Sequence, residues 1–269
     1  MYSKKLTVMP SETACTNEIK VRSLLNHFQD TASLSATGFE GSPGELARRG
    51  YTWILLRYQL EVNKRLPTMD ESLVIETRYT MNDGLRVLRD FRVFAQACEA
   101  EALVSAKTSW VLTDLATERP VRASQHLSKL FCDLADGIHI DPEFTAVPRL
   151  SGSTLKDVPL LREVDLPVRF HDLDANGHVN NAVYFEWMYE ATPLDLMGWG
   201  IRAVSAEFRA GTKFNETVRV GVKPVDPVIM NPVASDRDGR NHAFAYDMAR
   251  VDDDRHSVAR FCALWTPMN

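Results

Sequence analysis

The sequence predicts an α+β protein made of two similar halves, each a long antiparallel sheet wrapped around one central helix. Each half contains a short strand, one helix and then four long strand-like runs, in the same order. The second-half helix is apolar nearly all round, so we expect its sheet to bury it. These two observations favour a tandem, or double, hotdog arrangement over an α+β sandwich of another kind.

In the first half, alternating residues predict an opening strand at 17–22, and apolar residues at helical spacing predict a helix at 23–34. Four strands are predicted to follow it, at 51–62, 72–79, 85–94 and 102–112.

The second half repeats this order with an opening strand at 164–169 and a helix at 181–192. Its four strands are predicted at 203–209, 216–222, 242–250 and 257–265. We therefore expect an N-terminal domain at 1–115, a linker at 116–161 with a short helix at 124–135, and a C-terminal domain at 162–269.

The composition excludes several classes of protein. The net charge of −5 and the lack of a basic run argue against nucleic-acid binding. No apolar stretch has the length of a membrane-spanning helix, so we expect no membrane insertion. Four widely spaced cysteines predict free thiols in a reducing compartment, and we expect a cytoplasmic location.

The most informative stretch is 169–181, which holds two carboxylates, two histidines and three asparagines directly before the apolar helix. Polar groups at this density are costly to desolvate at the mouth of a buried helix. Sequences keep such groups where chemistry needs them, so this stretch is the candidate site.

The run from Asp172 to Tyr184 resembles the signature of hotdog thioesterases, and the whole chain resembles the acyl-acyl carrier protein thioesterases of plant plastids and bacteria. First-half segments at 53–57, 65–67, 77–78, 89–91 and 109–114 are also similar to that family. The resemblance implies hydrolysis of a fatty acyl-acyl carrier protein, without a cofactor. It implies catalytic roles for Asp174, Asn176 and His178.

The chain departs from the family pattern at one place. A Glu-Cys pair often follows the Glu-Tyr-Arg of a later strand in that family, but here Glu207-Phe-Arg209 is followed by Ala210-Gly211-Thr212. A mechanism that needs a cysteine nucleophile is therefore in doubt for this chain.

The three implied residues suit thioester hydrolysis. Alternate spacing in an extended loop would point them to one side. His178 can activate water, and Asp174 can orient the imidazole or act itself as base or nucleophile. Asn176 offers an amide donor to the developing oxyanion, and the free N–H groups at the start of the helix would also suit a negative oxygen.

Five neighbouring residues are predicted to contact the substrate: Gly177, Val179, Asn180, Asn181 and Tyr184. Gly177 would let the backbone approach the substrate closely. Simpler interpretations stay open: Asp172 and Asp174 as turn residues, Asn181 as a helix N-cap, and Tyr184 as core or pocket wall. The histidines and aspartates could also bind a metal, but no matching distant ligand set supports one, so we expect none.

The first-half helix lacks such a loop, so the first half is expected to shape the acyl pocket. The alternatives to the predicted function are an acyl-CoA thioesterase, a non-catalytic acyl-binding hotdog protein and a hotdog hydratase. Carrier proteins are acidic, so docking is expected to use basic residues, with Arg202, Arg209, Lys213 and Arg219 as candidates. Acyl length and the choice between monomer and homodimer stay open.

Overall fold

A computed structural model describes the chain apart from residues 38–39, 82–84, 98–100, 128–154, 156, 231–239 and 269. The chain divides into two compact units, Met1–Thr145 and Ala146–Asn269. In the described part of the chain, no helix is long and apolar enough to cross a membrane.

The first unit is one antiparallel sheet with the strand order β1-β3-β4-β5-β2, packed on a long helix. Its strands are β1 (Tyr2–Thr7), β2 (Tyr51–Val62), β3 (Ser72–Met81), β4 (Arg86–Ala95), β5 (Val104–Asp114) and β6 (Arg119–Val121). Its helices are α1 (Val21–Ser35), α2 (Pro43–Arg48) and α3 (Ala123–His126). The buried face of α1 includes Phe28, whose ring stacks on Phe91 of β4 with centroids 4.8 Å apart.

The second unit has the equivalent order β7-β9-β10-β11-β8, also antiparallel. Its strands are β7 (Arg162–Pro167), β8 (Trp199–Phe208), β9 (Thr217–Val225), β10 (His242–Arg250) and β11 (Asp253–Pro267), and its helix is α4 (Asn181–Ala191). Seven of the eleven residues of α4 are buried, among them Phe185, which packs on Phe261 of β11. The predicted double hotdog, with each sheet packed on one central helix, is confirmed.

The two units repeat almost residue for residue at their starts. β1 and β7 begin at Tyr2 and Arg162, the following 3₁₀ turns occupy Pro10–Glu12 and Phe170–Asp172, and α1 and α4 begin at Val21 and Asn181. Each element therefore lies 160 positions after its counterpart. The hairpins that lead into β3 and β9 also correspond, since Asp70 and Asn215 both have positive φ, 64° and 69°.

The opening strand predicted at 17–22 is wrong, because β1 opens the unit instead. Residues 14–18 close a turn, and Glu18 and Ile19 make isolated bridges to Thr68 and Thr13. The misleading alternation arises because Ile19 is buried from this turn and Val21 from the start of α1.

The predicted linker at 116–161 is not all connection. β6 pairs with the end of β5, and α3 takes up the start of the short helix predicted at 124–135. Leu127 joins Leu46 and Leu112 in an apolar cluster, so these residues are part of the first unit. The rest of that helix lies outside the described residues, and the domain limits 1–115 and 162–269 stay predictions.

Cys98 and Cys132 also lie outside the described residues, while Cys15 and Cys262 are not in a disulfide. Burial raises the pKa of the Cys262 thiol to about 12, so this sulfur is held as an unreactive thiol.

Candidate active site

The loop between the 3₁₀ turn Phe170–Asp172 and α4 closes as a tight turn. The Asp174 N–H donates to the His178 carbonyl at 2.7 Å, and the Gly177 N–H donates to the Asp174 carbonyl at 3.0 Å. Gly177 has a φ of 74°, which a residue with a side chain rarely adopts. The extended loop that we predicted from alternate spacing is therefore wrong: the turn, and not strand-like alternation, brings residues 174–178 together.

The Asp174 carboxylate is the acceptor at the centre of this turn. One of its oxygens accepts from the Asn176 N–H at 2.8 Å and from the His178 N–H at 3.3 Å. The other accepts from the Asn176 side-chain amide at 3.4 Å. Within the described residues no hydrogen bond joins this carboxylate to the His178 imidazole, so Asp174 orders the turn and Asn176 instead of orienting the ring.

The His178 imidazole packs directly against the backbone of Gly211. A Cβ added to Gly211 would lie 2.7 Å from His178 Cδ2, closer than such atoms approach in proteins. The Val179 N–H donates to the Thr212 carbonyl at 2.9 Å, which fixes the 211–212 segment against the turn. Since neither ring nitrogen of His178 is hydrogen bonded within the described chain, the imidazole can bind a water molecule.

Asp172 has a structural role. It is 1% exposed and accepts from the Arg169 N–H at 2.8 Å and from the Arg169 guanidinium at 3.1 and 3.0 Å. These hydrogen bonds raise the pKa of Arg169, as expected for a partner of a buried carboxylate. The pair fixes the 3₁₀ turn, in agreement with the simpler interpretation of Asp172 as a turn residue.

The N-cap of α4 is Asn180 and not Asn181. Its side-chain oxygen accepts from the Ala182 N–H at 2.9 Å, and its carbonyl accepts from the Val183 N–H, also at 2.9 Å. Two of the helix N–H groups that we expected to be free for an oxyanion are therefore already occupied. Asn181 is the first helical residue and is half-buried.

Tyr184 and Val179 belong to the core, with exposures of 2% and 4%. The Tyr184 hydroxyl lies 2.6 Å from the Thr212 hydroxyl, and burial raises the pKa of Tyr184. This hydroxyl pair lies behind the turn, where it supports the 211–212 segment. Substrate contact by these two residues, and by Gly177, Asn180 and Asn181, stays a prediction.

The charged side chains of the second unit bear on metal binding and on docking. In the described part of the chain, no group of three histidine, cysteine or acidic side chains is close enough to hold a metal ion. Of the predicted docking cations, Arg209 pairs with Glu207 at 3.1 Å and Arg219 with Asp165 at 2.7 Å. Lys213 is exposed and has no ion-pair partner among the described residues.

Sequence reasoning missed the roles of Arg169, Gly211 and Thr212. The sequence shows the last two as a departure from a pattern, but not that they lie directly behind His178. Aligning the first half of the chain with the second would have revealed them. Leu66 and Pro67 of the first unit correspond to Gly211 and Thr212, so the alignment shows two apolar residues replaced by a glycine and a hydroxyl-bearing residue.

The fold and the turn define a double-hotdog protein with an Asp/Asn/His site in its second unit. Residues 1–131 match the family model of the acyl-ACP thioesterase N-terminal domain. Residues 157–256 match the family model of the acyl-ACP thioesterase C-terminal domain. The chain therefore belongs to the acyl-ACP thioesterase family.

Two curated relatives are chloroplastic by name. The palmitoyl-acyl carrier protein thioesterase of Cuphea hookeriana is 26% identical over 73% of this chain and 48% of its own length. The oleoyl-acyl carrier protein thioesterase 1 of Arabidopsis thaliana is 21% identical over 98% of this chain and 75% of its own. The chain spans about half the length of several of these relatives, including the Cuphea protein.

Solved structures share the fold across nearly the whole chain. The 12:0-ACP thioesterase of Umbellularia californica superposes with a TM-score of 0.78 at 19% identity, covering 99% of this chain and 94% of that one. An acyl-ACP thioesterase of Bacteroides thetaiotaomicron gives a TM-score of 0.72 at 18% identity, covering 98% and 96%.

Proposed function

We propose that this protein is a thioester hydrolase that cleaves fatty acyl-acyl carrier protein into a free fatty acid and the carrier thiol. The observation that carries the proposal is the turn of Asp174, Asn176 and His178 at the start of α4, in a chain that belongs to the acyl-ACP thioesterase family. The names of the relatives, which act on acyl carrier protein substrates, support the choice of substrate.

In this mechanism the oxygen of a water molecule attacks the thioester carbonyl carbon. His178 accepts the proton from that water, because its ring nitrogens are not bonded elsewhere in the described chain. The C–S bond then breaks, and the proton passes to the leaving sulfur, so that the products are a carboxylic acid and a thiol.

Asn176 is the donor for the oxygen that becomes negative. Its amide group has a second N–H beside the one that faces Asp174, and a well-placed donor of this kind contributes about 3 kcal/mol to transition-state stabilisation. Asp174 holds Asn176 and the His178 backbone in position. Its direct action as the base is the alternative, and a cysteine nucleophile is not needed.

A thiol-release assay tests this proposal. Wild-type protein and Asp174→Ala are compared on acyl carrier proteins and on coenzyme A thioesters with the same acyl chain. We expect release from the carrier substrate and a loss of several orders of magnitude in the variant. Faster turnover of the CoA thioester would favour an acyl-CoA thioesterase, and an unaffected variant would favour a hydratase or a non-catalytic acyl-binding protein.

Three further expectations remain predictions: the cytoplasmic location, the choice between monomer and homodimer, and the acyl chain that is preferred. Size measurement in solution and a series of acyl chain lengths in the same assay address the last two.

A further inference from the structure

Two phenylalanines lie exposed beside the catalytic turn. Phe170 is 67% exposed and Phe214 is 47% exposed, and their rings meet edge to face with centroids 6.0 Å apart. The His171 ring packs on Phe170 at 5.4 Å. Phe170, His171 and Phe214, together with the exposed Lys213, are called the aromatic patch below.

The aromatic patch adjoins the Asp/Asn/His turn without being part of it. Phe170 begins the 3₁₀ turn that ends at Asp172, and Phe214 lies two residues after Thr212, whose carbonyl holds Val179. A macromolecule that delivers an acyl chain to His178 would therefore pass over these rings. Exposed aromatic side chains in a cluster mark binding surfaces, because aromatic residues dominate the energetics of protein interfaces.

The first unit has the same backbone here without the aromatic patch. The Thr68 N–H donates to Glu71 at 3.0 Å as the Lys213 N–H donates to Glu216 at 2.8 Å, so the two hairpins correspond. Pro10 and Met69 take the places of Phe170 and Phe214. The backbone at these two positions does not require exposed aromatic rings, so their presence beside the Asp/Asn/His turn points to a function.

Charge selects the class of partner. The whole chain has a net charge of −5, so an acidic protein needs a local cation in order to approach it. Lys213 supplies one: it is exposed, it directly precedes Phe214 in the chain, and its ammonium group has no ion-pair partner among the described residues. An acidic partner with an apolar contact surface fits this combination of rings and ammonium group.

We propose that the aromatic patch is the docking surface for the acidic carrier protein that presents the acyl chain, with Phe170 and Phe214 as apolar anchors and Lys213 as the charge contact. This inference rests on the proposed function, since it takes the carrier-linked thioester as the substrate.

The test uses the double variant Phe170→Ser/Phe214→Ser, the charge variant Lys213→Ala and the matched first-unit control Met69→Ser, which is 38% exposed in the wild type. Binding is measured with a carrier protein bearing a dodecanoyl amide, which cannot be hydrolysed. Turnover is measured with dodecanoyl carrier protein and with a small thioester, octanoyl-N-acetylcysteamine. Thermal melts check that each variant is folded.

We expect the double variant to weaken carrier binding by about tenfold or more, with turnover of the small thioester and kcat on the carrier substrate unchanged. Lys213→Ala should weaken binding by about threefold at low salt and less at high salt. Met69→Ser should bind as the wild type does.

Unchanged carrier binding in the double variant would overturn the inference. So would an equal loss on both substrates, or a change from dimer to monomer in solution, which would assign the patch to self-association. The proposed function is separate: it fails if the wild type releases no thiol from any acyl carrier, and the binding result still decides the docking surface.

Discussion

The two units build the same backbone turn, and only the second carries the Asp/Asn/His side chains on it. In the first unit the Ala14 N–H donates to the Glu18 carbonyl at 2.8 Å, and in the second the Asp174 N–H donates to the His178 carbonyl at 2.7 Å. The next hydrogen bond of the turn is also shared, because the Asn17 N–H donates to the Ala14 carbonyl at 3.0 Å as Gly177 donates to Asp174. Asn17 and Gly177 occupy the same position of the turn, and both have positive φ, 68° and 74°.

This comparison separates folding from chemistry. Ala14, Thr16 and Glu18 occupy the positions of Asp174, Asn176 and His178, and the backbone turn forms around them equally well. The acid, amide and imidazole of the second unit are therefore not required for the backbone turn, although Asp174 adds hydrogen bonds to it. Their presence in the second turn is accounted for by the proposed function.

The units differ behind the turn as well. Leu24 and Pro67 of the first unit are replaced by Tyr184 and Thr212, whose hydroxyl groups lie 2.6 Å apart. Leu66 is replaced by Gly211, which leaves room for the imidazole. Directly behind His178, the second unit therefore has open space and a hydroxyl pair where the first unit has apolar side chains.

The largest effect that we expect comes from His178→Ala compared with Glu18→Ala, its counterpart in the first unit. Loss of the general base should lower kcat by about 10³-fold, whereas Glu18→Ala should keep kcat within about twofold of the wild type. Initial rates of thiol release check this. Equal losses in the two variants would show that both turns take part in catalysis.

Gly211→Ala should have the next largest effect. The added Cβ would push the imidazole aside, and a displacement of this size lowers kcat by about 10²-fold. The melting temperature should change little, since the ring can swing towards solvent. Gly44→Ala, where nothing lies within 4 Å of the added Cβ, is the matched control and should keep full activity.

The hydroxyl pair predicts a coupled effect on stability. Tyr184→Phe or Thr212→Val alone leaves one buried hydroxyl without its partner, which should lower the free energy of unfolding by about 1–3 kcal/mol. The double variant should lose less than the sum of the two, because it leaves no orphaned group. Denaturant unfolding of all four proteins measures the coupling, and strictly additive losses would contradict the pairing.

The smallest effect concerns an ion pair of the first unit. Arg65 makes two hydrogen bonds of 2.8 Å to Glu71 and holds the pKa of that carboxyl below its usual range. The pair therefore stabilises the fold above the ordinary glutamate pKa of about 4.3, and this stability is lost as the pH falls through the lower pKa of the folded state.

Glu71→Gln should lower the free energy of unfolding by about 1 kcal/mol at pH 7 and by progressively less below pH ~4. Arg65→Met should show the same dependence. The comparison with the wild type is made by denaturant unfolding across this pH range, and a penalty that stays constant down to pH ~2 would show that Glu71 acts through packing rather than charge.

Most of the fold could be predicted from the sequence, because long strands and the apolar helix carry strong periodic signals. β2 and β10 begin and end at the predicted residues, and α1 and α4 differ by two residues or fewer at each end. The Asp174, Asn176 and His178 positions could be inferred as a site because their spacing resembles a family signature.

The rest depended on contacts that local patterns do not encode. β1 and α2 are short, and residues 17–20 alternate like a strand although they make only isolated bridges at the end of a turn. The N-cap role of Asn180 over its neighbour Asn181 is decided by one hydrogen bond. The contact of Gly211 with His178 joins residues 33 positions apart, so no local pattern could reveal it.

The most direct test of the account replaces the catalytic turn with its first-unit sequence, as Asp174→Ala/Asn176→Thr/His178→Glu. We predict that this triple variant folds and melts near the wild-type temperature, yet releases no thiol from dodecanoyl or hexadecanoyl carrier protein above the uncatalysed rate. Retention of wild-type turnover by the folded variant would contradict the assignment of the chemistry to this turn.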